Sequence, residues 1–298
     1  MSYMDLYLSP VSRFLGSPKT FEGADYVILG VPFDGTSTYR PGSRFGPRAI
    51  REASQNLETY SLRTEIDARD LKICDVGDVN VSTDVKKTLE RLQLVLREAI
   101  EAQKFPVTLG GEHTITYGAI GAFDEGVGIL SFDAHMDLRD EFLGSRLSHA
   151  TFMRRVSEKI GPDHIVEVGV RAFEREELQF ARAKDIKIFT MRDVRSEGQK
   201  GIAEKIKGAL SDFEKIYLTL DVDVVDPSYA PAVGNPVPEG MAPRMLLDIL
   251  HNICDQRIVA LDLVEVSPHY DAGLTSLQAA HIICEALCFI EKCRREGC

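Results

Sequence analysis

The stretch VGILSFDAHMD, residues 127–137, changes character at Asp133. Before it the side chains are apolar or small and do not alternate with charged ones, which is how a strand covered on both faces of a parallel sheet reads. After it come His135 and Asp137, with Asp140 three residues further on. Carboxylates placed so closely repel one another and oppose folding unless positive charge sits among them. A cation-bearing site at the end of a buried strand fits both halves of the segment.

Seven more runs share the apolar half: DYVILGV (25–31), LKICDV (71–76), FPVTLG (105–110), HIVEVGV (164–170), KIFTM (187–191), KIYLTLDVD (215–223) and RIVALDLVE (257–265). Helical patterns lie between them, at 83–103, 196–213, 242–253 and 273–293. This alternation predicts an α/β fold, a three-layer, doubly wound, mostly parallel sheet of about eight strands joined by right-handed crossovers. The Pro- and Gly-rich VGNPVPEGMAP (233–243) is too short for a linker and no internal repeat appears, so residues 1–298 read as a single domain.

With 35 Lys and Arg against 46 Asp and Glu, the net charge of −11 repels phosphate backbones and anionic lipid, which argues against nucleic acid as a partner. The N-terminal MSYMDLYLSPVSRF lacks the basic start and apolar core of a signal peptide, and no uninterrupted apolar run reaches about 18 residues. The expectation is a cytoplasmic protein with no membrane partner. Cys284, Cys288, Cys293 and Cys298 crowd the C-terminus without a CxxC pair. Cys284 and Cys288, four apart, read as small buried hydrophobes on one helix face rather than as zinc ligands.

In doubly wound sheets ligands bind beyond the carboxyl ends of the strands. Four runs become polar there: FPVTLG leads into Glu112 and His113, VGILSFD into His135 and Asp137, KIYLTLDVD carries Asp221 and Asp223, and RIVALDLVE ends in Glu265. One such Asp usually caps a helix and one such His is usually structural. Four coincident strand ends point to one site. Asp133, Asp137, Asp221 and Asp223 carry the charge that two divalent ions neutralise, and no Lys or Arg alternates with them. Oxygen donors with two imidazoles and no thiolate suit Mn²⁺ or a similar hard, high-coordinate ion, two per subunit, better than structural zinc. Asp221 and Asp223, two apart on a strand, share a face, and Asp133 and His135 repeat that spacing. Two ions about 3.5–4 Å apart could hold water as hydroxide at neutral pH.

GGEHT (110–114), SFDAHMD (131–137), LTLDVDVVDPSYAPAVGNP (218–236) and LDLVEVSPHYD (261–271) resemble the four signatures of the ureohydrolase family of arginases and agmatinases. GVPFDGTSTYRPGSRFGPRAIR (30–51) is similar to that family's N-terminal region. The likeness keeps its order over nearly the whole chain, and DAHxD followed by DxDxxDP is its most specific part. It implies an arginase-like fold and a homo-oligomer, a trimer or hexamer. One Mn²⁺ would be held by His113, Asp133, Asp137 and Asp221, and the second by His135, Asp133, Asp221 and Asp223. Asp137 would also accept a hydrogen bond from the bridging hydroxide, His149 would carry a proton to the leaving amine, and Glu265 would grip the substrate guanidinium. The reaction implied is hydrolysis of a small cationic guanidino substrate, agmatine, to putrescine and urea by attack of that hydroxide, a step of polyamine biosynthesis.

The loop LRDEFLGSRLS (138–148) is expected to overhang the pocket, with Asp140 and Glu141 receiving the far amine of agmatine. Arg146 in the same loop suits a carboxylate instead, and a solvated surface loop explains all three residues equally. Other guanidino compounds (4-guanidinobutyrate, arginine or a formimidoylglutamate-like substrate) and a noncatalytic member of the family are the alternatives. A two-metal phosphohydrolase would need basic groups that the metal-bearing motifs lack. The chain departs from the family pattern at Asn235, where Thr is common, and at Ala150, where Gly usually follows the histidine.

Overall fold

All eight apolar runs form strands. A computed structural model describes residues 2–9, 11–18, 20–124 and 126–297; Cys298 lies outside them. Among the described residues the strands of the main sheet are, in chain order, β1 (Leu8–Ser9), β2 (Tyr26–Val31), β3 (Ile73–Val79), β4 (Phe105–Gly110), β5 (Val127–Phe132), β6 (Ile165–Val170), β7 (Lys187–Thr190), β8 (Lys215–Asp221) and β9 (Ile258–Val264). They make one nine-stranded sheet in the order β1-β3-β2-β4-β9-β8-β5-β6-β7. The extra strand is β1, two residues paired antiparallel with the end of β3. Two residues carry no periodicity, so the sequence offers no sign of it.

From β2 to β9 every pairing is parallel. The chain builds β2, β3 and β4, passes to β5, β6 and β7, and then returns to set β8 and β9 into the gap between β5 and β4. The four strands read as carrying the polar ends, β4, β9, β8 and β5, are therefore neighbours at the centre of the sheet.

Alternate side chains serve two cores. Phe105, Val107 and Leu109 of β4 with Ile216, Leu218 and Leu220 of β8 pack under helices Gly46–Ser54, Met191–Ala209, Pro243–Ile253 and Leu274–Glu296. Leu29, Ile129 and Tyr217 face helices Val85–Glu101, Ile115–Ile120, Phe152–Ile160 and Arg175–Ala183. Leu274–Glu296 is long and apolar enough, by length and composition, to cross a bilayer, but 72% of its most apolar stretch is buried inside the protein. It lies along helices Gly46–Ser54 and Pro243–Ile253. Its Cys284, Cys288 and Cys293 are buried, as small core side chains should be.

Two glycines permit close approach at the strand ends, Gly111 to the loop after β2 and Gly110 to β9. A Cβ on Gly111 would collide with the Phe33 carbonyl, and one on Gly110 with Val264. Backbone bonds from Gly111 N–H to Val31 O (2.9 Å) and from Glu112 N–H to Phe33 O (2.7 Å) use that closeness. The segment 33–38 is thereby held over the rim of the sheet.

Candidate functional site

At the end of β5, Asp133 Oδ1 accepts the His135 N–H (2.6 Å), and at the end of β8, Asp221 Oδ1 accepts the Asp223 N–H (2.8 Å). Each carboxylate thus folds its own chain back by the same two-residue turn. The Ala134 N–H donates to Asp223 Oδ1 (3.0 Å) and locks the two turns together. From β4, His113 enters beside them, and its backbone N–H donates to Glu265 Oε1 (2.8 Å) at the end of β9. Asp137 and Glu265 hold left-handed backbone, φ 51° and 68°, a strained state for non-glycine residues that clusters at functional sites.

The side chains meet in two groups of donor atoms, each within 4.8 Å mutually: His113, Asp133 and Asp221 in one, Asp133, His135 and Asp223 in the other. His113 Nδ1 lies 2.9 Å from Asp133 Oδ2, 3.2 Å from Asp221 Oδ2 and 3.8 Å from Asp137 Oδ2. His135 Nδ1 lies 2.9 Å from Asp223 Oδ2 and 3.7 Å from Asp133 Oδ1.

The donor set fits divalent cations on one decisive point. His113 Nδ1 is fully buried and makes no hydrogen bond of good geometry, although three carboxylate groups surround it. Burial opposes charge on His113, but Asp133 outweighs it and pushes the imidazole up to about 9. Burial also drives Asp137 and Asp221 well above the usual carboxylate range, with Asp133 adding repulsion to both. A cation arriving between these atoms would displace the Nδ1 proton and let the carboxylates ionise together.

Behind His113 stands a set of buried hydroxyls. Its Nε2 is 2.8 Å from Thr219 Oγ1, Thr219 donates to Asp262 Oδ1 (2.5 Å), and Tyr217 and Thr116 donate to Asp262 Oδ2 (2.8 Å each). Burial raises the Asp262 pKa, and His113 and these hydroxyls oppose the rise. Beneath the second turn, Arg171 donates to the carbonyls of Asp223 (2.7 Å) and Val237 (2.8 Å), fastening the segment that carries Asp223. The sequence reading missed all of these, although a Thr and an Asp inside otherwise apolar strands are a readable signal.

A cavity of about 280 Å³ opens onto the cluster, at the small end of ligand sites. His135, Asp137, Asp221, Asp223 and Glu265 line its floor, with His149, Thr38, Asn235, Phe142, Phe173, Arg139 and Glu174 around them. His149 is buried on this wall, its N–H donating to Thr36 Oγ1 (3.0 Å) and its ring nitrogens 3.4 Å from the hydroxyls of Thr36 and Thr38. Burial, reinforced by the charge on His135, pushes it down to about 4. The fully buried Glu112 holds Thr36 in place, accepting its N–H (2.7 Å) and its hydroxyl (2.6 Å). Burial, with Glu112 adding repulsion, pushes Glu265 up to about 8.

The structure does not bring Asp140, Glu141 and Arg146 into this cavity. The mutual backbone bonds of Phe142 and Ser145 (2.9 Å each) make a tight turn, and Arg155 takes the Asp140 carboxylate (2.6 Å) outside it. Arg146 follows at 3.1 Å from the same oxygen. Glu141 faces a separate depression beside Leu138 and Arg154. Arg139 and Glu174 stand at the mouth instead, 3.5 Å apart. Glu174 arrives because the chain after β6 runs beside His135, bridging it at Ala172. The strand-end rule, applied to HIVEVGV as well, would have found it.

The Arginase family matches residues 24–288. Agmatinase of Bacillus anthracis is 35% identical over 281 residues, covering 92% of this chain and 94% of its own. The mitochondrial guanidino acid hydrolase of Homo sapiens is also 35% identical, over 91% of this chain and 80% of its own. The crystal structure of agmatine ureohydrolase of Thermoplasma volcanium superposes with a TM-score of 0.90 at 33% identity, covering 97% and 98% of the two chains.

Proposed function

The chain belongs to the arginase family of amidinohydrolases, and from that premise we propose that it hydrolyses agmatine to putrescine and urea with two Mn²⁺ in the cluster described above. The observation that carries the reading is the buried His113 Nδ1, surrounded by carboxylates without a hydrogen bond, at the floor of a cavity that also ends on Glu265. His113, Asp133, Asp137 and Asp221 would hold one ion, and His135, Asp133, Asp221 and Asp223 the other. Such a pair acidifies water and so supplies a nucleophile at neutral pH.

The chain's own groups then divide the work. Glu265, a buried carboxyl short of positive charge, receives the planar guanidinium at the cavity floor. Asp137 accepts a hydrogen bond from that nucleophile and holds it in line. His149, neutral by burial, relays the proton that the nucleophile releases after adding to the guanidinium carbon to the departing amine nitrogen as the C–N bond breaks. Expulsion of that amine leaves urea. Replacing Glu265 by Gln should lower kcat/KM on the order of 10²-fold, the size of an unpaired buried charge contact, while metal analysis still finds two ions. Loss of an ion in that variant would make Glu265 part of the metal site rather than the substrate site.

Agmatine is favoured by the mouth of the cavity. The Arg139 guanidinium is already taken by Glu174 (3.5 Å) and Glu177 (3.6 Å) and lies 4.7 Å over the Phe142 ring. One cation against two carboxylates leaves the rim negative, which suits a far amine. A second reading, a guanidino acid, rests on the same Arg139, whose charge would meet a carboxylate if Glu174 turned away. Urea release by Mn²⁺-reconstituted against chelator-stripped protein, from agmatine, 4-guanidinobutyrate and arginine, decides between them. In that assay Glu174→Gln should raise the KM for agmatine by about two- to fivefold, the range of a solvent-exposed ion pair, with kcat unchanged. A KM that falls, together with a preference for 4-guanidinobutyrate in the parent, would hand the site to guanidino acids.

A further inference from the structure

The hydroxyls behind His113 do more than fill space. Asp262 is fully buried and its two oxygens accept from Thr219, Tyr217 and Thr116. Thr219 has a single hydroxyl proton, and at 2.5 Å from Asp262 Oδ1 that proton is spent on the carboxylate. Toward His113 Nε2, 2.8 Å away, the same oxygen has only lone pairs to offer. With Asp262 ionised, Nε2 therefore carries hydrogen. Of the two ring nitrogens, only Nδ1 is then able to lose its proton, and it is the one facing Asp133 and Asp221. We infer that Thr219 and Asp262 are positioning residues, a hydroxyl–carboxylate relay that fixes His113 as the Nε2-protonated ring and presents Nδ1 as the ligand atom for a divalent cation.

The inference rests on the metal reading of the cluster, but it makes a claim about proton placement that needs no metal. Its sharpest consequence concerns Asp262→Asn. The amide oxygen would keep the two donors Tyr217 and Thr116, so the NH₂ group would face Thr219. Thr219 would then accept there and turn its own proton toward His113 Nε2. The neutral ring would carry hydrogen on Nδ1, the wrong nitrogen. Thr219→Val removes the acceptor and leaves Nε2–H unpaired in a dry site, whereas Thr219→Ser keeps the relay.

Two measurements on the full chain decide this. Titration with Mn²⁺ should show one of the two ions bound 10- to 100-fold more weakly in Thr219→Val and Asp262→Asn, and within about threefold of the parent in Thr219→Ser. Imidazole ¹⁵N shifts of metal-free protein, at a pH high enough that the His113 ring is neutral, should show Nε2 protonated in the parent and Nδ1 protonated in Asp262→Asn. Parent-like affinity for both ions in Thr219→Val, equal losses in Thr219→Ser and Thr219→Val, or an unchanged tautomer in Asp262→Asn would each overturn the relay. If the parent itself binds no Mn²⁺, the proposed function fails, and the ¹⁵N spectra still decide the proton placement.

Discussion

Asp133→Asn will cost on the order of 10³ or more in the rate of urea release, because several kcal/mol of metal-dependent stabilisation disappear with the site. Asp133 is the residue common to both donor groups. Its Oδ1 accepts the His135 N–H (2.6 Å), so the amide oxygen of Asn has only that place to go. The NH₂ group is forced to the Oδ2 position, 2.9 Å from His113 Nδ1. There it donates to the ring nitrogen and closes the gap in which a cation would sit. The substitution is nearly isosteric and removes one of several mutually repelling carboxylates. Against that relief stands the loss of the pairing by which Asp133 pushes the His113 imidazole up, so the metal's share is read as each protein's own shift in melting on adding Mn²⁺. In the parent, Mn²⁺ at 100 times its Kd should add about 2.7 kcal/mol per site, and in the variant it should add nothing. Calorimetric melts with and without Mn²⁺, beside metal analysis, read both effects. A variant that retains two ions and a rate within tenfold of the parent would sink the assignment of Asp133 as the shared ligand.

What the sequence made legible follows from where specificity is local. The strands β2 to β9 could be read because burial on both faces forces long apolar runs, and their order of polar ends could be read because ligands gather at the carboxyl rim. Helices such as Ile115–Ile120 escaped because six residues buried nearly all round show no amphipathic period. The residues of the two donor groups lie within three positions of a strand end, so the backbone leaves them little freedom. The cavity mouth is different. Asp140 and Glu141 follow Asp137 closely in sequence, yet the Phe142–Ser145 turn and the pull of Arg155 carry them outward. Glu174, on a distant segment, takes the place expected for them. Adjacency in sequence predicts a wall only where no turn intervenes.

Arg51→Ala should destabilise the fold by about 3–5 kcal/mol, the cost of leaving a buried ion pair without one partner. Arg51 is wholly buried and forks onto Asp75, Nε to Oδ2 (2.7 Å) and one NH₂ to Oδ1 (2.9 Å). Its remaining nitrogen reaches Asp78 Oδ1 (2.5 Å), and a further bond goes to the Gly77 carbonyl (3.1 Å). Helix Gly46–Ser54 is thereby bolted to β3 from beneath. Without the guanidinium, Asp75 keeps only the N–H groups of Phe14 (2.8 Å) and Gly77 (3.1 Å) in a site closed to water. Arg51→Lys preserves the charge but not the planar fork, and cannot span Asp75 and Asp78 at once, so it should lose roughly half as much. Arg51→Met combined with Asp75→Asn removes the stranded charge as well as its partner and should recover at least half of the loss. Denaturant unfolding of the metal-free proteins reads these differences as shifts in midpoint at constant slope. The enzyme that remains folded should keep its kcat, because none of these atoms lines the cavity. A loss under about 1 kcal/mol in Arg51→Ala would show that water reaches Asp75, and that the ion pair fixes the register of helix on sheet without holding the fold together.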